Sequence, residues 1–169
     1  MLTNVKETLT TFAKRVQKET RTKLTKDKHN VSKDLYNSVE YDLEVHKNSF
    51  SLSFYMEDYY DFLDKGVSGT EQKYNTEYSY KQSSNLVGME YYTGTFGKWA
   101  KFRGKQGRNK LGQFLTYKQT GFMLAALKKK KGQKPTHFFT KPFESAFNSL
   151  PQDIIDAFGL DLTNIITDR

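Results

Sequence analysis

The sequence predicts an α+β fold, in which one antiparallel hairpin is packed by helices. Apolar residues recur every three or four positions near the N-terminus and then every second position over residues 40–56. The first spacing is typical of an amphipathic helix and the second of a strand with one buried face. Because 169 residues suit one domain, we expect a single domain with a long N-terminal helix, short C-terminal helices and a projecting basic hairpin and long loop.

The N-terminal helix is predicted over residues 1–26. Its apolar stripe consists of Leu2, Val5, Leu9, Phe12 and Val16, at spacings of 3, 4, 3 and 4. Lys and Glu occupy the other side, as expected of a helix half in solvent. Thr3 or Asn4 is expected to cap its first turn.

A β-hairpin is predicted over residues 40–56. Apolar and polar side chains alternate over 41–46 and again over 50–56, and Lys47-Asn48-Ser49 separates the two runs. The pattern indicates an antiparallel pair with one apolar face. A helical turn should follow over 57–65 and end at Gly66, since glycine suits the residue after a helix.

Residues 67–118 are predicted to form a long loop and a second, basic hairpin. The composition shifts there to Ser, Thr, Gly, Asn, Gln and Tyr. Residues 99–102 and 113–117 flank a Gly-, Lys- and Arg-rich segment, in which Asn109–Gly112 are expected to form the turn of the hairpin. Residues 121–169 are predicted to be helical. Helices should start near Gly121, Thr140 and Pro151, and Gly159 should end the last of them.

The composition argues against several classes of protein. The chain has no Cys, which excludes disulfides and thiolate chemistry, and no apolar run approaches the roughly 18 residues of a membrane span. No secretory signal is visible. No P-loop, nucleophile elbow or catalytic carboxylate pair is present, and the three His are isolated in sequence. We therefore predict a protein without enzymatic activity, cofactor or metal.

Charge is distributed in blocks along the chain. The net charge of +8 combines +5 over residues 1–30, −6 over 31–90, +13 over 91–143 and −4 over 144–169. The third block has thirteen basic residues and no acidic one. Such asymmetry indicates a negatively charged partner, or a copy of the same chain that docks its acidic part there.

The basic block supplies the first set of candidate interface residues. Cations alternate there with aromatic side chains, and the candidates are Trp99, Lys101, Arg103, Lys105, Arg108 and Lys110. This mixture suits a protein interface, in which Trp and Arg are favoured, and it also suits a nucleic-acid backbone with stacked bases. The acidic candidates are Asp58, Asp61 and Asp64, whose spacing places them roughly on one helical face.

Two motifs carry a resemblance to a known family. One is Tyr59-Tyr60-Asp-Phe62-Leu63-Asp-Lys-Gly66, directly after the hairpin, and the other is Lys134-Pro135-Thr-His-Phe138-Phe139-Thr-Lys-Pro142-Phe143-Glu144 before the final helix. Together with the order of elements, they resemble the neck or tail-completion proteins of tailed bacteriophages, the lambda-like siphophage tail-component type. The resemblance implies that the first motif shapes the corner between sheet and loop, and that the second locks the last helix onto the sheet.

The resemblance also implies a function. The chain would be a virion structural protein that forms a homo-oligomeric ring at the head–tail joint, assembles in the host cytoplasm and contacts neck, portal-adaptor or tail proteins, with DNA passing through its lumen and no membrane involved. We expect residues 91–118 of one subunit to meet the acidic surface of residues 40–64 of a neighbour or an adjoining ring. The alternative is a basic nucleic-acid-binding module that uses residues 98–118.

Overall fold

The computed structural model describes residues 2–27, 32–47, 49–80 and 87–167, and within the last range only the backbone of residues 87–93. The elements, in chain order, are α1 (Thr3–Lys26), α2 (Asp34–Ser38), β1 (Glu40–Val45), β2 (Phe50–Tyr55), α3 (Tyr60–Asp64), α4 (Val87–Phe102), α5 (Tyr117–Lys131), α6 (Thr140–Phe147) and α7 (Leu150–Thr167). The predicted α+β class, with a long N-terminal helix and an antiparallel hairpin, is confirmed.

The chain divides into two compact units. The discontinuous unit comprises Met1–Asp64 and Thr136–Arg169, and the inserted unit comprises Lys65–Pro135. Charge divides with them: the inserted unit has fifteen Lys and Arg against three Asp and Glu, a net charge of +12, while the discontinuous unit has a net charge of −4. Nothing in the sequence patterns indicated this division.

The core of the discontinuous unit forms along α1. Val5, Leu9, Phe12 and Val16 are buried at the predicted spacing and pack against Ala146, Leu150 and Ala157 of α6 and α7. The predicted capping by Thr3 or Asn4 is wrong. Leu2 occupies the N-cap position and makes no side-chain cap hydrogen bond.

The hairpin covers the same core. β1 and β2 pair antiparallel, with Leu43 opposite Leu52 and Val45 opposite Phe50. Leu43, Phe50, Leu52 and Phe54 point to one side of the sheet, because alternate residues share a face, and they pack against the buried residues of α1. The hydrophobic pattern therefore sets this register.

The inserted unit departs from the predicted loop and basic hairpin. Residues 87–102 form the helix α4, which includes Trp99–Phe102, the predicted first arm. The predicted turn at Asn109–Gly112 is present, because the Gly112 N–H donates to the Asn109 carbonyl at 3.0 Å. An isolated bridge between Arg108 and Phe114 flanks it in place of the predicted arms. The glycines and polar residues of α4 give it a low helix propensity, so the sequence did not predict a helix there. Packing against α5 stabilises α4. Residues 81–86 of the predicted loop lie outside the described residues.

Two helices are longer than expected. α5 begins at Tyr117 because Thr116 and Gln119 form a capping box. α7 continues through Gly159 to Thr167. A glycine costs a helix interior only about 1 kcal/mol, and burial of Leu150, Ala157 and Asp161 holds this one together.

Candidate functional site

A basic surface with exposed aromatic rings lies in the inserted unit, at the C-terminal end of α4 and in the turn that follows. We call residues 103–116 the basic turn. The side chains of Phe102, Leu111 and Phe114 are strongly exposed there, and that of Trp99 is 36% exposed. The predicted cations Lys101, Arg103, Lys105, Arg108 and Lys110 are all exposed.

The basic turn is held by its own hydrogen bonds. The Asn109 carboxamide oxygen accepts from the backbone N–H groups of Leu111 at 3.0 Å and Gln113 at 2.9 Å. The Gly107 N–H donates to the Thr120 hydroxyl of α5 at 3.1 Å. The Leu111 side chain, 83% exposed, is therefore displayed at the tip of a braced loop.

Cations and rings are paired within this surface. The Arg103 guanidinium and the Lys105 ammonium lie 5.9 and 6.0 Å from the centre of the Trp99 ring. The Arg108 guanidinium lies 4.0 Å from the centre of the Phe114 ring and donates to the Gly112 carbonyl at 2.9 Å. At these distances the positive charge is attracted to the ring face. The structure thus places three of the predicted interface residues side by side, namely Trp99, Arg103 and Lys105.

The acidic candidates do not share one helical face, because Asp58 precedes α3 and Asp61 and Asp64 lie within it. Asp58 is exposed and Asp61 is partly exposed, but Asp64 is only 2% exposed. The Asp64 carboxylate accepts from the backbone N–H groups of Phe139 at 2.8 Å and Thr140 at 3.3 Å, and also from the Thr140 hydroxyl. Asp64 therefore satisfies backbone donors at the start of α6, and its carboxylate is used inside the unit.

The first motif contains both buried and exposed residues. Tyr60 packs its ring on Phe139, with centroids 6.4 Å apart, while Tyr59 and Phe62 are about half exposed. Partial burial raises the pKa of the Tyr59 hydroxyl, and the nearby Glu57 and Asp34 carboxylates raise it further. Gly66 has φ +78°, and a Cβ there would lie 2.6 Å from the Gln133 carbonyl oxygen and 2.7 Å from Pro135.

The second motif is mostly core. Phe138 is fully buried among Leu24, Leu35 and Val39, and Pro142 is buried on α6. The rings of Phe139 and Phe143 lie 5.6 and 6.1 Å from that of Phe54 on β2. These residues join α6 to the hairpin, whereas the resemblance implied that they would hold the last helix, which is α7.

Sequence reasoning missed a groove between α1 and α7. Its volume is about 470 Å³. The buried side chains of Phe12, Ala146 and Ala157 form its floor. Exposed charged and apolar side chains stand at its rim, namely Glu7, Arg15, Asp153, Asp156 and Leu160. No local signal could have revealed it, because the two helices are about 150 positions apart in the chain.

The α7 helix also has an exposed apolar stripe. Ile155, Phe158, Leu162 and Ile165 recur at spacings of 3, 4 and 3 and are each more than 40% exposed. A stripe of this kind on a helix already buried along another side is typical of an interaction surface.

The described residues contain no cluster of His, Asp and Glu that could hold a metal ion. None of the helices in the described ranges is long and apolar enough to cross a membrane. No protein-family model, curated protein or solved structure matches the chain. The function is therefore inferred from the surfaces and charges of the two units.

Proposed function

We propose that this chain is a structural subunit of a tailed-phage virion that assembles as a closed ring at the head–tail joint. The observation that supports this most is the opposite charge of the two units, +12 and −4 within one chain. A ring of identical subunits needs two different, mutually complementary surfaces on each copy. Opposite charges supply such complementarity and guide the encounter of the subunits.

Exposed apolar side chains support assembly as well. The inserted unit exposes Phe102, Leu111 and Phe114, and the discontinuous unit exposes the stripe along α7. Contiguous apolar surface is costly on a protein that works alone and common at interfaces. These exposed side chains are typical of a subunit whose apolar surface is buried on assembly.

The motif residues behind the phage resemblance take structural positions that suit it. Gly66 adopts the left-handed conformation that a corner requires, and Phe139 and Phe143 fasten α6 to the hairpin. On this proposal the protein is assembled in the host cytoplasm, resides in the virion neck or tail and contacts neck, portal-adaptor or tail proteins.

A nucleic-acid-binding module is the second candidate, and the +12 charge of the inserted unit favours it. Base stacking would need accessible ring faces. Here Arg103 and Lys105 lie beside the Trp99 ring and Arg108 lies over the Phe114 ring. Because cations of the same chain occupy these faces, ring assembly ranks first.

The mass of the native assembly tests the proposal. We expect one closed species, a whole multiple of the 19.7 kDa subunit. Replacement of Lys101, Arg103 and Arg108 by Gln should abolish it. The matched control replaces the exposed Lys6, Lys14 and Lys18 of α1 by Gln, which removes the same charge and should leave the assembly intact. A monomer at all concentrations, or a ring unchanged by the triple replacement, would contradict the proposal.

Salt dependence separates the second candidate from the first. A protein that neutralises several phosphates binds oligonucleotides with a steep negative slope of log K against log salt. We expect no such binding by the assembled ring's outer surface at low salt. Tight binding with a steep slope, lost in the triple Gln variant, would favour the nucleic-acid module.

A further inference from the structure

We propose that the basic turn of one subunit inserts into the groove between α1 and α7 of a second copy. This inference rests on the proposed ring and identifies the two surfaces that make it. The donor surface lies wholly in the inserted unit and the acceptor wholly in the discontinuous unit. Residues 40–64, the acceptor expected from the sequence, are replaced in this role by α1 and α7.

The groove has the charge and shape of an acceptor. Glu7, Asp153 and Asp156 place three carboxylates at its rim, against the single guanidinium of Arg15. That guanidinium already bonds the Glu19 carboxylate at 2.9 Å. The small side chains of Ala146 and Ala157 lie beside Phe12 on the floor, and the hydroxyls of Thr8, Thr11 and Ser149 also line the groove. A volume of about 470 Å³ falls within the range of about 300–1,000 Å³ in which protein pockets hold sizeable ligands.

The basic turn has the complementary features. Leu111 supplies an apolar tip, and Arg108, Lys110 and Lys105 flank it with positive charge. An apolar centre with a polar, solvent-accessible rim is the usual anatomy of an interface. Hydrogen bonds accepted by the Asn109 carboxamide oxygen and donated by the Gly107 N–H already fix the loop, so little conformational entropy is lost when it docks.

The acidic residues of 40–64 fit this turn less well. The exposed acids Glu40, Asp42 and Glu44 lie on the outer face of a two-stranded sheet. Asp64 is buried against α6. In the groove, by contrast, carboxylates surround the buried side chains of Phe12, Ala146 and Ala157.

The contact repeats in one direction. Every subunit carries one turn and one groove, so each copy can donate to one neighbour and accept from another. Such a heterologous contact closes into a ring when the rotation between neighbours divides a full turn. A reciprocal two-fold dimer, in which each turn enters the groove of the other copy, would use the same pairing, and the native mass distinguishes it from a larger ring.

Cysteine cross-linking tests the pairing cleanly, because the chain has no Cys of its own. Leu111→Cys and Leu160→Cys are purified separately, mixed and treated with a short bis-maleimide. We expect a covalent dimer from the mixture and none from either variant alone. The double variant, Leu111→Cys with Leu160→Cys, should give a ladder of covalent oligomers that stops at the copy number of the ring.

A third position separates failure of this pairing from failure of the ring. Asp58→Cys places a thiol on the acidic surface expected from the sequence. Cross-linking of Leu111→Cys to Asp58→Cys but not to Leu160→Cys, in an assembly of unchanged mass, would overturn the groove and leave the ring standing. A wild-type chain that stays monomeric would overturn both.

Charge reversal supplies an independent test. Asp153→Lys with Asp156→Lys should raise the dissociation constant between subunits at least about tenfold, as should Arg108→Glu with Lys110→Glu. Combining both reversals in one chain should restore association, because the reversed turn then meets the reversed groove, with unchanged circular dichroism in each variant. Failure of this quadruple variant to associate would count against direct contact between turn and groove.

Discussion

The Asp161 carboxylate accepts a hydrogen bond from the backbone N–H of Val5 at 3.1 Å, across 156 positions of sequence. Its other oxygen accepts from the backbone N–H of Asn4 at 3.0 Å and from the Asn4 carboxamide at 2.8 Å. A residue of α7 therefore satisfies the unpaired N–H groups at the start of α1. The negative charge also faces the positive end of the α1 dipole.

This contact should make stability depend on pH in the acid range. Burial by itself raises the pKa of Asp161, but hydrogen bonds from the backbone N–H groups of Asn4, Val5 and Thr3 and from the Asn4 side chain outweigh it and lower the pKa below its usual value. A lowered pKa in the folded state means that the stabilisation is present above the unfolded value of about 4 and is lost as the pH falls through the folded value.

Replacement of Asp161 by Asn should therefore lower the Tm at pH 7, by roughly 3–6 °C. The difference from the wild type should narrow as the pH falls below about 4. Thermal unfolding followed by circular dichroism between pH 2 and 7 measures both effects. The exposed Asp42 on β1, which lies outside the groove, is the control, and Asp42→Asn should leave the acid limb unchanged.

Asp64 should matter for folding more than for assembly. Replacement by Ala leaves the buried N–H of Phe139 without its acceptor, which should cost about 1–3 kcal/mol in the free energy of unfolding. Replacement by Asn keeps an acceptor oxygen and should cost less. Urea unfolding measures the difference. Equal loss in both variants would show that the charge, rather than the acceptor, is needed.

Two glycines with positive φ should respond differently to Ala. Gly132 has φ +74°, and a Cβ there would lie 2.2 Å from the Val67 carbonyl oxygen. Gly112 has φ +81°, but nothing lies within 4 Å of its Cβ position. Gly112→Ala should cost about 1 kcal/mol from the backbone conformation alone, and Gly132→Ala about 3–4 kcal/mol because backbone must also move. Equal unfolding free energies of the two variants would refute the close approach.

The aromatic rings of α6 offer a matched pair. Phe143 contacts Phe12, Phe54 and Phe139, with centroids 5.7, 6.1 and 5.7 Å apart, whereas Phe147 is half exposed and stacks on Phe143 alone among the described rings. Phe143→Ala should lower the free energy of unfolding by about 2–3 kcal/mol. Phe147→Ala should lower it by less than about 1 kcal/mol. Similar losses of unfolding free energy in the two variants would contradict the core position of Phe143.

Thr20 provides a prediction of opposite sign. It is fully buried on α1, and its hydroxyl finds no hydrogen-bond partner among the described residues. Thr20→Val removes the unpaired hydroxyl while keeping the shape, and should stabilise the protein by about 1 kcal/mol. The exposed Thr22, whose hydroxyl donates to the Lys18 carbonyl, is the control. Thr22→Val should give no gain in Tm.

Local periodicity was enough to predict the hairpin and the buried stripe of α1. Leu43 pairs with Leu52 and Val5, Leu9 and Phe12 are buried because their spacing matches the geometry of strand and helix. The capping box of Thr116 and Gln119 is also a local signal, since the two residues lie three positions apart, and it places the start of α5 before Gly121.

Other features depend on residues far apart in the chain. Asp64 and Asp161 look like solvent-exposed acids in sequence, and only tertiary contacts with α6 and α1 reveal them as buried acceptors. The helix α4 contains three glycines, and its propensity was too weak to indicate a helix without the contact with α5. The groove between α1 and α7 likewise depends on residues that are far apart in the chain.

The ends of the inserted unit meet. The backbone N–H of Thr136 bonds the Asp64 carbonyl at 3.2 Å and its hydroxyl bonds the Leu63 carbonyl at 2.8 Å, so the chain leaves and re-enters the discontinuous unit at one place. A few residues could bridge that gap, which makes Lys65–Pro135 an exchangeable cassette. A change of sequence or length within Lys65–Pro135 therefore leaves the backbone connection between Asp64 and Thr136 in place.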